Sequence, residues 1–124
     1  MKKENRNTGL RGETMAVELL KEKNYNILEK NYSNRFGEID IIAEDCGTIV
    51  FVEVKTRKNY RFGRPHEAVD YEKIRHIKNT ADRYIAEKQW YRLPIRYDII
   101  EIILEEDEKN KINHIENAFI DSEF

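Results

Sequence analysis

The sequence predicts an α/β fold: one domain over residues 1–124, built as a central mixed five-stranded sheet with a helix on each side. Three observations predict it. Two stretches, about 10–23 and 70–89, place apolar residues at helical spacing. Five others, about 24–34, 36–45, 48–57, 95–104 and 112–119, alternate or run apolar as strands do, which gives the order helix, three strands, helix, two strands. Within the third strand, Ile49-Val50-Phe51-Val52-Glu53-Val54 is apolar on both faces apart from Glu53, as in a strand covered on both sides.

Residues 1–8 are polar and are expected to form a loose tail. Met15, Ala16, Leu19 and Leu20 then mark the first helix, with Thr8 or Gly9 near its start. Tyr25, Ile27 and Leu28 belong to a weakly alternating first strand that ends in a turn at Ser33-Asn34. A hairpin follows, folded around Asp45-Cys46-Gly47-Thr48. A symmetric loop centred on Cys46-Gly47 sets 42 opposite 51, 40 opposite 53 and 38 opposite 55. One face then carries Ile39, Ile41, Ala43, Val50, Val52 and Val54, a surface that must be buried. The other carries Ile42 and Phe51, then Asp40 opposite Glu53 and Glu38 opposite Lys55.

Two carboxylates directly opposite on an antiparallel pair, about 5 Å apart at Cβ, are unfavourable unless something compensates. A bound hard cation would, since magnesium prefers one or two carboxylates with water and phosphate oxygens. Lys55 lies two residues from Glu53, about 7 Å along the same strand face, where it could meet a metal-bound water or an attacked phosphate. The plainer alternative is an exposed charged ladder in which the Glu38–Lys55 pair contributes under about 1 kcal/mol. Embedding in a doubly apolar strand favours a functional role.

After Lys55, the stretch 56–65 interleaves Arg57, Lys58, Arg61 and Arg64 with Tyr60 and Phe62, while Gly63 and Pro65 break regular structure. It is either a solvated loop or a nucleic-acid contact, with cations for phosphates and flat rings for unstacked bases. Its adjacency to Lys55 favours the second. The helix over 70–89 has Asp70 as N-cap and an apolar stripe at Ile74, Ile77, Ala81, Tyr84 and Ile85, which is core. Gln89 to Pro94 breaks it, with Trp90 and Tyr91 packing at its end. Ile95 to Leu104 is a strand mostly apolar on both faces, within which Asp98 is expected to form a structural salt bridge to Arg96 or a neighbouring cation rather than hold a metal. Residues 105–111 form an acidic turn, 112–119 a short last strand and 121–124 a tail. His66, His76 and His114 lack partners at metal-ligand spacing and are expected at the surface.

Composition sets bounds on function. The chain is 37% charged and 40% hydrophobic, with 22 basic and 24 acidic residues, so overall charge points to no partner. From Glu101 onward there are eight acids and two bases, and the basic excess lies with the hairpin. The single cysteine, Cys46, excludes an intrachain disulfide and fits a reducing compartment. Without an apolar leader or a run of about 20 apolar residues, a cytoplasmic protein with no membrane partner is expected.

The joined motifs carry a resemblance. Asp40, a gap of about a dozen residues, then Glu53-Val54-Lys55 resembles the PD-(D/E)xK signature of restriction endonuclease-like nucleases. GEIDIIAED, IVFVEVKTR, the Gly-rich entry with GET and the later RYDII strand are together similar to the YraN family of small bacterial proteins, over nearly the whole chain. Ile39 stands where proline is usual before the acid. The resemblance implies a restriction endonuclease-like sheet order and catalytic roles for Asp40, Glu53, Lys55 and Glu13. It also implies magnesium, or manganese in its place, held by Asp40, Glu53 and the Val54 carbonyl. Glu13 would approach from the first helix; its alternative is a first-turn carboxylate favoured by the helix dipole, and Glu18 ranks second for the role. Lys73 becomes a candidate contact beside Arg57, Lys58, Tyr60, Arg61 and Arg64. Similarity to Holliday junction resolvases, which act as dimers, implies a homodimer and a branched DNA substrate; single-stranded DNA is the other substrate considered, and the sequence itself leaves DNA and RNA both open. The function expected is metal-dependent phosphodiester cleavage. The alternatives are a non-catalytic nucleic-acid-binding module on the same fold, or an interaction protein using the acidic carboxy-terminal segment.

Overall fold

A computed structural model describes residues 2–58, 70–105 and 110–119, with side chains described from residue 8 onward. Helix α1 spans Lys2–Glu22, strands β1, β2 and β3 span Asn26–Asn34, Gly37–Asp45 and Thr48–Arg57, helix α2 spans Tyr71–Lys88, and β4 and β5 span Ile95–Ile103 and Lys111–Ile115. The five strands form one sheet in the order β1-β2-β3-β4-β5. All neighbours are antiparallel except β3 and β4, which run parallel because α2 carries the chain back between them. The fold class is thus the expected mixed α/β sheet.

Each helix buries one face of the sheet. Ala16 and Leu20 of α1 pack on Ile41, Ala43, Val50, Val52, Ile100 and Ile102. On the other side, Ile74, Ile77, Ala81, Tyr84 and Ile85 of α2, the expected stripe, pack on Ile42, Phe51, Tyr97 and Ile99. At about 25 cal/mol per Å² of apolar surface, each large side chain buried here contributes about 1.5–3 kcal/mol. Cys46 and Gly47 both take left-handed backbone (φ 49 and 89), the two-residue turn whose twist suits a hairpin, so the ladder closes as Asp45–Thr48, Ala43–Val50 and Ile42–Phe51.

Several expectations are corrected. The stretch 1–8 is not a loose tail from Lys2 onward but the start of α1. Apolar spacing could not reveal it, because its residues are polar all round. Strict alternation places Ile39 with Ile41, yet Ile39 joins Ile42 in the α2-side core. The cause is an irregularity at the next residue: β2 pairs with β3 only as far as Ile41–Val52, and across from Asp40 on β1 stands Asn31 in left-handed backbone (φ 53), between the pairs Lys30–Ile41 and Tyr32–Ile39. Glu38 has Ser33 of β1 as its strand partner rather than Lys55. The last strand ends at Ile115, because Asn117 turns left-handed (φ 53) and its N–H donates to Asp98. Trp90 packs edge-on to Tyr84, but Tyr91 is 70% exposed.

His114 is not a surface histidine. Its side chain is buried, with Nε2 2.8 Å from Asp98 Oδ2 and Nδ1 2.8 Å from Lys23 Nζ. Asp98 is fully buried and also accepts from Arg96, as expected, while Arg96 donates to Tyr25 Oη and Asp45. Burial pushes the Asp98 carboxyl up, but His114, Arg96 and the Asn117 N–H together hold it below its ordinary range. His76 is exposed as expected; His66 lies outside the described residues.

Candidate active site at the strand fork

The site forms where β2 and β3 part. Beyond Ile41–Val52 the Val54 N–H faces β2 without a ladder carbonyl, and Asp40 Oδ2 accepts it at 2.8 Å. An Asp at this position thus replaces a main-chain hydrogen bond while keeping its carboxylate within the sheet. Glu53, one residue before Val54, is only 5% exposed. Its Oε1 lies 3.6 Å from Lys55 Nζ and 3.8 Å from Lys73 Nζ. Lys55 is placed by strand alternation and Lys73 by the first turn of α2, where Asp70 accepts the Lys73 N–H at 2.9 Å and caps the helix.

Electrostatics follow from this crowding. Burial first, and the Asp40 charge second, push Glu53 up to about 7 against the pull of Lys73 and Lys55. Asp40 is raised by burial, opposed by the Val54 N–H and the same two lysines. Glu13 is raised by burial and by Asp40, and a hydrogen bond from Asn31 offsets part of this. Burial thus raises all three carboxyls, and the Asp40 charge adds to the rise at Glu53 and Glu13. Asp40 Oδ1 and Glu53 Oε2 are the oxygens not engaged in these contacts. Among the described residues, no three His, Cys, Asp or Glu side chains converge closely enough to hold an ion by themselves.

Glu13 reaches the site because α1 lies close on β3. Gly12 is packed so tightly against Thr56 that a Cβ there would overlap the threonine side chain. Glu13, the next residue, faces a cleft of about 320 Å³ between α1 and the β1–β2 edge, with Asp40 and Asn31 on its other wall. Glu18 lines the same cleft.

Asp40, Glu53, Val54, Lys55, Lys73 and Glu13 are thus gathered in one region. Arg57 closes β3, its Nη1 donating to the Thr56 carbonyl, and Lys58 is exposed beyond it. Tyr60, Arg61 and Arg64 lie outside the described residues. Two residues were missed from sequence. Asn31 is legible only as an Asn that tolerates left-handed backbone. Glu101 is 2% exposed, pairs in register with Lys55 on one side and Asn113 on the other, and accepts from Asn113 Nδ2 at 3.0 Å. Its position inside an apolar strand was the available signal.

The family model described as "Uncharacterised protein family UPF0102" matches residues 12–102. The chain belongs to this family. UPF0102 is the YraN family, so the resemblance carried by the hairpin motifs holds. Its relatives include a UPF0102 protein of Syntrophomonas wolfei, 47% identical over 115 residues, covering 93% of this chain and 99% of that protein. One from Alkaliphilus oremlandii is 50% identical over 120 residues, covering 93% and 99%. Another, from Caldanaerobacter subterraneus, is 48% identical over 122 residues, covering 96% and 100%. No helix among the described residues is long and apolar enough to cross a membrane.

Proposed function

We propose that this UPF0102 protein is a magnesium-dependent nuclease acting on phosphodiester bonds of nucleic acid, with DNA as the first substrate class. The observation that carries the reading is the buried Glu53, raised to about 7 by burial and by Asp40, with two ammonium groups within 4 Å. A crowded carboxylate pair is tolerated if it meets a cation in use, and the similarity of Asp40, Glu53 and Lys55 to the PD-(D/E)xK signature supports the same role. The donor set fits magnesium, which takes one or two carboxylates and completes its shell with water and phosphate oxygens. Asp40 and Glu53 would hold it, with the Val54 carbonyl as a third donor and Glu13 directly or through water. Such an ion supplies a Lewis acid for the phosphoryl oxygen and a more acidic water. Lys55 would orient that water and offset charge at the phosphate, and Lys73 would share the second task. Manganese would substitute for magnesium, and a homodimer is the assembly expected.

Cleavage of labelled single-stranded, duplex and branched DNA, with magnesium or manganese, tests this. Asp40→Asn and Lys55→Ala should each lower cutting by at least about 100-fold. Activity retained in both variants would identify a contaminant.

A second reading, a nucleic-acid-binding module without turnover, is favoured by one feature: Lys55 and Lys73 both pair with Glu53 Oε1 and neutralise it without an ion. DNA binding unaffected by chelator, together with no cleavage of any substrate, would select it.

A further inference from the structure

The cleft between α1 and β1 is unused by the chemistry above except at Glu13 and Asp40. We propose that it holds one unpaired nucleotide next to the bond under attack, so that the substrate is a strand end, flap or single strand rather than continuous duplex. This rests on the nuclease reading for its role in cutting, though not for nucleotide binding itself.

Charge is ordered along the cleft. Glu13 and Lys21 both line it from α1, about 12 Å apart along the helix axis, with Asp40 of β2 on the opposite wall and Lys30 of β1 also lining it. Thr14 and the apolar Val17 stand between Glu13 and Lys21 along α1, Leu10 stands one turn before Glu13, and Asn31 stands across from Asp40 on β1. Successive phosphates of a strand match that order, one at the cation held by the acids and the next between the lysines. The intervening base would rest on Val17, with Thr14 and Asn31 offering hydrogen-bonding groups to its edge or sugar. Glu18 also lines the cleft, but it stands three residues before Lys21 on the same helix, where the lysine offsets it. At about 320 Å³ the cleft lies at the small end of ligand sites, which run about 300–1,000 Å³. A base pair would not enter it.

Fluorescence anisotropy in the Lys55→Ala background, with magnesium, tests this using a labelled 12-nucleotide single strand and a blunt 12-base-pair duplex. Lys21→Ala with Lys30→Ala, both at exposed positions, should weaken the single strand about five-fold or more and flatten its log K against log salt slope by about 1.4, with the duplex unchanged within two-fold. Val17→Trp, which fills the cleft, should have the same selective effect on the single strand at an unchanged melting temperature. Equal weakening of both probes by the lysine changes, with Val17→Trp silent, would overturn the proposal as general electrostatics. If neither probe binds, the nuclease reading fails separately, and titration with thymidine 5′-monophosphate decides the cleft. Amide shifts confined to Thr14, Val17, Lys30 and Asn31 would support a site for free nucleotides, and their absence would overturn it.

Discussion

Replacing Glu53 by Gln separates its effect on stability from its effect on function. Its carboxyl moves from an ordinary 4.5 to about 7 on folding, so between those values the folded chain binds more protons than the unfolded one. Stability therefore falls as pH rises across that window, by at most about 3 kcal/mol. Glu53→Gln should remove the fall: little change at pH 4, but a higher melting temperature than wild type at pH 8, read by circular dichroism. Cutting should be lost at the same time, which would mark a group held for chemistry at the expense of stability. In the wild-type protein, magnesium binding should strengthen as pH rises through about 7, because the ion competes with the Glu53 proton. Isothermal titration at pH 6 and 8 would show it, and an affinity flat across that range would assign the ion elsewhere.

Two glycines of α1 give a matched pair at the scale of the element. Gly12→Ala must push the helix off Thr56 and should destabilise by about 1–3 kcal/mol in urea unfolding, with loss of activity as Glu13 is carried away. Gly9 has nothing within 4 Å of a would-be Cβ, so Gly9→Ala should be neutral or stabilise by up to about 1 kcal/mol. The opposite signs would locate the effect in helix–sheet contact rather than helix propensity. At the start of α2, Asp70→Ala should cost about 1 kcal/mol and loosen the turn that sets Lys73 beside Glu53. How far the elements were legible follows from what each signal measures. Hairpin register came through from the turn to Ile41–Val52 because Cys46-Gly47 fixes it locally, but not at 40 and 38, where β2 leaves β3, and the α2 stripe came through because its period matches its burial. Ile39 was misplaced because alternation assumes a regular ladder, and the left-handed Asn31 across from Asp40 breaks it. The start of α1 was invisible to apolar spacing. His114 required knowing that β5 lies against β4, a tertiary fact no local pattern holds.

Across the whole molecule, the Arg96, Asp98 and His114 cluster ties together segments far apart in sequence. Arg96 joins Tyr25 after α1, Asp45 at the end of β2 and Asp98 on β4, and His114 of β5 closes on Asp98 and Lys23. Asp98→Ala removes the buried carboxylate that Arg96, His114 and the Asn117 N–H share and leaves Arg96 with only the carboxylates of Asp45 and Glu116 among the described residues, so it should cost about 3 kcal/mol. The folded Asp98 carboxyl lies below its ordinary value, so its contribution is full above that value and is lost as pH falls through the folded one. Asp98→Asn should therefore be less stable at pH 7 and flatter than wild type in melts taken towards pH 3. No similar shift would mean the cluster is too wet to matter.

The fork at Ile41–Val52 leaves Asp40 within reach of both covering layers, Glu13 from one helix and Lys73 from the other. A ligand seated there would act as a rivet through three layers. Hydrogen–deuterium exchange should then slow together in α1 and α2 on loading with magnesium and a DNA strand, although the two helices lie on opposite faces of the sheet. Slowing confined to one helix would mean that the ligand sits on a single side and leaves the other layer free to breathe.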